Sequence, residues 1–322
     1  MDRSMDVSAD HLIVTYLSMD PLSSTVGSSQ VLAYIERLAH RGIEVDLVTF
    51  EYAVEPELTE RLSGLGVTWR PLRFGLHGPV GGLGRVLRAA RALRGAAVVH
   101  ARSDMAAAAT MLSGANRWLW DVRSFWADQK VATGVMPAGS PQVWVMRRVE
   151  GLAARRSTAV IALTASAIDE LDRRHGGMVS SKARVVTTCV DLDRFGLSDP
   201  PPGLLRVLLA GSLNRYYDVE SMLDLVAELR RRRPVEFVVA SPGDTDWEDE
   251  LATIEASRVS ATPGEMAELV SASHVGLSVC RDDAGTSLLA AMPTKIGEFL
   301  ASGRPVVVNP GLVDAAQMLE RD

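Results

Sequence analysis

Short β-branched or apolar runs alternate along the whole chain with longer stretches of helical periodicity, and this alternation restricts the fold more than any other feature. The opening is Leu12 to Leu17, a helical pattern from about Ser28 to Arg41, then Glu44 to Phe50. Strand, helix, strand in that order requires a parallel sheet, since parallel neighbours need a long crossover connection. The pattern continues through strand candidates at Val67 to Leu72, Ala97 to His100, Trp118 to Val122, Ala159 to Leu163 and Arg184 to Thr187. Residues 1–197 therefore read as one doubly wound α/β domain. Within the run LSDPPPG at Leu197 to Gly203, proline and glycine can neither continue a helix nor complete a ladder, so residues 198–203 read as a linker. Strand candidates at Arg206 to Ala210, Glu236 to Ala240, Val275 to Val279 and Pro305 to Asn309 then alternate with helices again, which makes 204–322 a second α/β domain. A chain of 322 residues is comfortable as two domains and too long for one ordinary core.

Bulk properties narrow the function. A formal net charge of -6 argues against a chain built to neutralise nucleic-acid phosphates. Cys189 and Cys280 are the two cysteines and lie far apart, so neither a disulfide framework nor a thiolate metal site is indicated and a reducing cytoplasm is expected. The six histidines are scattered singly without metal-ligand spacing. The acidic start lacks a basic-then-apolar leader pattern, and no apolar run approaches the length that spans a bilayer.

In doubly wound sheets ligands bind outside the carboxyl ends of the strands, so the turns after strands are where chemistry is expected. Gly27 closes the loop after the first strand and precedes a helix opening at Ser28 or Ser29; backbone N–H groups there can approach a phosphate, and an ordinary capped loop gives the same pattern. Gly211, Ser212, Leu213, Asn214 and Arg215 follow the first strand of the second domain; the arginine fork suits a diphosphate as well as it suits plain surface. The most specific segment is MPTKIGEFLASGRPVVVNP, Met292 to Pro310. Lys295 and Glu298 share one helix face there. Lysine and the helix N-terminus can meet a diphosphate and Glu298 can accept from two vicinal ribose hydroxyls; an isolated surface ion pair has the same spacing.

That segment is similar to the donor-binding stretch of family 4 glycosyltransferases, commonly PTK(I/L)xEYLAxGxPVV. Other segments resemble the same family in the same order: PLSSTVGSSQVLAYIERLAHRGIEVDLVTFE near the start, HARSD at His100, DVRSFWADQ at Asp121, VVTTCVDLDRF at Val185 and GSL at Gly211. The resemblance implies the GT-B architecture, two Rossmann-like domains, and a hexosyltransferase that moves a sugar from a nucleotide diphosphate donor to a hydroxyl of a glycan or lipid-linked acceptor with retention and without a metal or cofactor. By position it implies that Glu298 holds the donor ribose, that Thr294, Lys295, Gly211 and Arg215 serve the diphosphate, and that Gly27 faces the diphosphate across the cleft. Two positions depart from the family pattern. Arg215 is followed by Tyr216, Tyr217 and Asp218 instead of a Lys-Gly pair, and Ala290 stands where many members carry a further glutamate.

The acceptor-side catalytic position falls at Asp121, Val122 and Arg123, where an Asp can bind the attacking hydroxyl and Arg123 can neutralise it or the phosphate; a buried structural Asp–Arg pair is the alternative. Asp244-Thr245-Asp246 is a DxD, and Asp282-Asp283 a second acidic pair; both read as solvated loops. Gly81, Gly82 and Gly84 follow no strand and carry no cofactor. Arg85, Arg88, Arg91 and Arg94 lie three apart, a basic stripe that either faces water or makes peripheral contact with the inner face of a membrane. A sugar-nucleotide epimerase and a sugar-nucleotide binder without turnover stay open as alternatives. Family members normally continue past the strand matching Val306 to Asn309 with a further strand and helices, so a second domain that stops short of completion is also expected.

Overall fold

The computed structural model describes residues 12–320 apart from Ser212, Pro242 and Asp244. Its strands are β1 (Val14–Leu17), β2 (Val45–Glu51), β3 (Thr68–Arg73), β4 (Val98–Arg102), β5 (Trp118–Val122), β6 (Ala159–Ala162) and β7 (Ala183–Val185), then β8 (Leu205–Ala210), β9 (Val235–Ala240), β10 (Ser257–Val259), β11 (Val275–Ser278) and β12 (Val306–Val308). The helices are α1 (Ala33–His40), α2 (Pro56–Gly64), α3 (Gly78–Ala92), α4 (Asp104–Ser113), α5 (Trp126–Ala132), α6 (Pro141–Arg156), α7 (Ala165–His175), α8 (Val219–Arg232), α9 (Glu248–Thr253), α10 (Pro263–Ser271), α11 (Thr294–Ala301) and α12 (Val313–Glu320).

Two parallel sheets result, as the alternation requires. The first has seven strands in the order β3-β2-β1-β4-β5-β6-β7 and the second five, β10-β9-β8-β11-β12. The chain forms two compact units: the described residues up to Arg123 with Trp144–Ala162 and Leu171–Arg184, and Ser124–Val143 with Leu163–Glu170 and the described residues from Val185 onward. Central strands are buried on both faces and accordingly read as unbroken apolar runs: Val207, Leu208, Leu209 and Ala210 of β8 are all at most 3% exposed. The strand order reverses between β1 and β4 in the first sheet and between β8 and β11 in the second, and at such points the following loops diverge and leave room for a ligand.

Several local expectations are corrected. Helical geometry begins at Thr25, so Gly27 lies inside the first turns and opens a π-helical stretch, Gly27–Leu32, that runs into α1. The strand β10, only three residues long, has no counterpart in the sequence reading. The DxD includes Asp244, which lies outside the described residues. Asp282 and Asp283 do not simply face water: Asp282 accepts from Asn309 Nδ2 at 2.8 Å and Asp283 pairs with Arg281.

The arginine stripe of α3 is not one face either. A three-residue repeat drifts about 60° per step on a helix of 3.6 residues per turn, so its two ends point in opposite directions. Arg85 turns inward, donating Nη1 to the Leu76 carbonyl at 2.7 Å with its guanidinium 4.2 Å over the Phe74 ring. Arg88 donates to the carbonyls of Arg73 and Phe74. Only Arg91 and Arg94 are exposed.

The proposed linker segment is fastened by a buried cation within the second unit. Arg304, 2% exposed, donates to the Ser198 carbonyl at 2.9 Å, to Ser198 Oγ at 2.7 Å, and to the carbonyls of Asp199 and Ser271 at 2.7 and 2.8 Å.

Candidate functional site

In the second unit the loops after β8 and β11 meet at its switch point. Tyr217 and Cys280 form an isolated antiparallel bridge, and the Arg281 N–H donates to the Tyr216 carbonyl at 3.1 Å. Into this loop pair projects Lys295, the second residue of α11. The helix starts after Pro293, whose extended ψ ends the preceding loop. Lys295 is buried, its Nζ 3.9 Å from the centroid of the Tyr217 ring. Gly211 supplies the opposite wall. Its φ is +104°, a region that suits glycine, and a β-carbon there would stand 3.4 Å from the Lys295 Nζ. Burial lowers the lysine pKa from 10.5 to about 8. Among the described residues no hydrogen-bond acceptor faces the ammonium, so its attractions are the Tyr217 π-face, worth roughly 0.5–2 kcal/mol, and nearby negative charge.

Glu298 lies one turn along α11, half-buried. Burial raises its pKa, and the charges of Arg194 and Lys295 pull it back. Among the described residues no ion pair joins Lys295 to Glu298, so the pair is not the surface ion pair that its spacing allows. Cys280 is buried, its thiol pushed up to about 12 by burial. Ala290, at the position of the missing glutamate, is buried as well. Thr294 opens α11 and is partly buried.

Arg215 is placed differently from Lys295. It is exposed and lines a cleft of about 480 Å³ with Tyr217, Asp246, Trp247 and Arg281. Lys295 and Glu298 are not among the lining residues, and Tyr217 is the group common to the cleft and to the lysine cradle.

The first unit gathers a separate polar cluster at the carboxyl ends of β4 and β5. Parallel pairing sets Arg102 beside Asp121. Asp121, 3% exposed, accepts from His100 Nε2 at 3.1 Å and lies 3.5 Å from Arg123 Nη1. Burial alone would push the Asp121 carboxyl up, but the His100 hydrogen bond and the charges of Arg123 and Arg102 outweigh it and hold the carboxyl below its usual range. Its Oδ1 has no hydrogen-bond partner among the described residues. Arg102 and Arg123 both donate to Gln30 Oε1, at 2.8 and 3.0 Å, and Arg102 also reaches Asp20 at 2.6 Å. Gln30 belongs to the π-helical stretch, so this network ties the Gly27 segment to β4 and β5.

Gly27 is required by close approach. A β-carbon at that position would fall 1.8 Å from the Pro21 carbonyl oxygen. Its N–H donates to Ser24 Oγ at 3.0 Å. The loop before it is hung on the buried Glu51, whose two carboxylate oxygens accept from the Leu22 N–H at 3.1 Å.

The structure thus brings together Gly211, Thr294, Lys295 and Glu298 in one place and Asp121 and Arg123 in another, sets Arg215 on a neighbouring cleft, and uses Gly27 in packing. Sequence reasoning missed Tyr217 as the partner of Lys295, and missed His100, Arg102 and Gln30 around Asp121. For His100 and Arg102 a signal was available, since both stand at the end of a strand adjacent to β5.

The sequence pattern of the glycosyl transferase 4-like domain matches residues 27–189, half of the chain. The chain belongs to this family. No curated protein matches it. Among solved structures this family member is similar to Anabaena HepE in complex with UDP and glucose, with a TM-score of 0.62, 15% identity, and coverage of 92% of this chain and 80% of that one. Sucrose-phosphate synthase from Thermosynechococcus elongatus gives 0.65 at 17% identity over 92% and 80%. A putative UDP-N-acetylglucosamine 2-epimerase from Listeria monocytogenes gives 0.57 at 12% identity over 96% and 86%. What these proteins share with the present family member is the fold.

Proposed function

We propose that this glycosyl transferase 4-like protein moves a sugar from a nucleoside diphosphate donor to the hydroxyl of a glycan or lipid-linked acceptor. The observation that carries the reading is Lys295, a buried cation without a hydrogen-bond acceptor among the described residues, set at the start of α11 with Glu298 one turn away. A diphosphate would supply the anion that the ammonium lacks, and a carboxylate beside it suits the ribose hydroxyls. HepE was solved with UDP and glucose, which supports a donor of this class.

In the transfer the bond from the anomeric carbon to the diphosphate oxygen breaks, a bond to the acceptor oxygen forms, and the acceptor proton departs with the nucleoside diphosphate. Lys295 and the neighbouring Arg215 would stabilise the charge growing on the leaving group, the kind of fixed electrostatics that supplies most catalysis of this sort. Gly211 keeps the lysine pocket open and Thr294 offers its backbone at the helix N-terminus; a phosphate role for Gly27 is what the family resemblance implies. Asp121, ionised and with an Oδ1 that faces Arg123 Nη1 at 3.5 Å but accepts no hydrogen bond among the described residues, suits the role of hydrogen-bond acceptor for the attacking hydroxyl. Its depressed pKa makes it a poor base, so it orients the hydroxyl, and Arg123 with His100 fixes its own direction. Retention, and transfer without a metal or cofactor, are what the family resemblance implies.

The test is to incubate the protein with UDP-, GDP- and ADP-sugars and with lipid and saccharide acceptors, followed by mass spectrometry and NMR of the anomeric linkage. A glycosylated acceptor with retained configuration is expected. An epimerised donor formed without acceptor, or tight donor binding with no turnover, would contradict the proposal.

A further inference from the structure

We propose that the cleft lined by Arg215, Tyr217 and Trp247 seats the sugar of the donor, and that Asp246, Trp247 and Glu250 select which sugar it is. The inference rests on the donor reading above and extends it. The cleft, of about 480 Å³, is walled entirely by residues of the second unit. Its volume falls within the usual range of small-molecule sites, about 300–1,000 Å³. Its place along the donor follows from two neighbours. Tyr217 lines it and also lies with its ring centroid 3.9 Å from Lys295 Nζ, whereas Glu298, one turn further along α11, does not line it. With the ribose at Glu298 and the diphosphate at Lys295, the nucleoside end of the donor lies outside the cleft, and the end that passes Tyr217 is the sugar.

The walls suit a hexose. In the second sheet β9 lies next to β8, so the loop after β9 stands beside the loop that carries Arg215 and Tyr217. That loop and the first turn of α9 supply Asp246, Trp247 and Glu250. Trp247 is partly buried and packs against the core that includes Val239 and Leu251, which fixes its position at the edge of the cleft. The apolar C–H face of a pyranose packs on an aromatic ring, and carboxylates accept from its hydroxyls. Asp246 and Glu250 are exposed, and among the described residues neither makes an ion pair, so both can accept from a ligand. Ala290 brings no carboxylate to the donor; the loop after β9 and α9 bring two. The charge balance adds selectivity. Arg281 is the second cation of the cleft, and Asp283 engages it, with Nε 2.8 Å from Oδ1. Arg215 then stands against two carboxylates, and the diphosphate draws on it as well. A neutral, hydroxyl-rich hexose fits such a wall, and a sugar acid is repelled by it.

Titration calorimetry on the whole protein separates the sugar from the rest of the donor. The probes are UDP, UDP-glucose, UDP-galactose and UDP-glucuronate, with GDP, GDP-mannose and GDP-mannuronate as the second set. Within the set whose nucleotide binds, the sugar acid should bind at least about tenfold more weakly than the best neutral sugar. The double substitution Asp246→Asn, Glu250→Gln should weaken that neutral sugar nucleotide about ten- to a hundredfold, the range of a hydrogen bond to a charged group. It should also close the gap to the sugar acid and leave the affinity for the bare nucleotide unchanged. Trp247→Ala should weaken the sugar nucleotide in the same selective way; should it fail to fold, the two exposed carboxylates carry the test, with melting temperature as the control. A sugar acid bound as tightly as the neutral sugar would overturn the assignment while leaving the donor reading intact. So would a double variant in which nucleotide and sugar nucleotide change together or not at all. A parent that binds no nucleotide would overturn the donor reading, and the assignment with it.

Discussion

With the diphosphate at Lys295, nucleoside diphosphate binding should fall as pH rises. Its ammonium is destabilised by burial, which sets the folded pKa at about 8. Below that value the charge is already present and the diphosphate meets it directly. Above it the unliganded site is mostly neutral, and a proton must be taken up when the anion binds. Each further pH unit then weakens binding about tenfold, or about 1.4 kcal/mol. Stability runs the opposite way: a lysine whose pKa is lowered from 10.5 to about 8 on folding makes the unliganded protein more stable as pH climbs between those values. Neighbouring groups do not blur the window, because the Cys280 thiol and the Tyr216 phenol are both pushed up to about 12. Titration calorimetry with UDP or GDP in buffers of different ionisation enthalpy counts the protons directly. Proton uptake approaching one per nucleotide is expected on the alkaline side, and Lys295→Met should bind weakly with a flat profile. An affinity in the parent that does not change across the window, with no proton uptake, would refute the placement of the diphosphate at Lys295.

Glu298→Gln should weaken nucleotide binding by about 1.5–3 kcal/mol, the worth of a hydrogen bond to a charged group, as read by calorimetry on a variant of unchanged melting temperature. Asp121→Asn should reduce turnover while leaving nucleotide affinity as it is, because Asp121 is assigned to the acceptor; a parallel loss of both would point to a structural role alone. Arg304→Met leaves the Ser198, Asp199 and Ser271 acceptors without their donor and should cost about 2–4 kcal/mol, visible as a lower denaturation midpoint.

The legible part of the fold was what periodicity and flanking breakers encode. Trp118 to Val122 reads as a strand from its apolar run alone and is β5 to the residue. The strand β10 escaped because Ser257, Arg258 and Val259 carry too short a pattern to rise above the surrounding loop. The start of the helix near Gly27 was misplaced because Ser28 and Ser29 look like caps, while in the structure their hydroxyls donate to the Thr25 carbonyl inside a helix already begun. Around the candidate site the helix of Lys295 and Glu298 was readable from its local signature. The Tyr217 ring over Lys295 was not, since it depends on how the loops after β8 and β11 pair. Strand register likewise made neighbours of His100, Arg102 and Asp121, which are separated in sequence by a whole helix. The arginines of α3 show the opposite case, in which a visible spacing was taken for a face although a repeat of three cannot hold one side of a helix.

A crystal structure with a bound nucleoside diphosphate tests the donor site most directly. The expected result is the diphosphate against Lys295 Nζ and Gly211, with the ribose hydroxyls on the Glu298 carboxylate. A nucleotide ordered elsewhere, with Lys295 still covered by the Tyr217 ring and Glu298 without ligand contact, would contradict it.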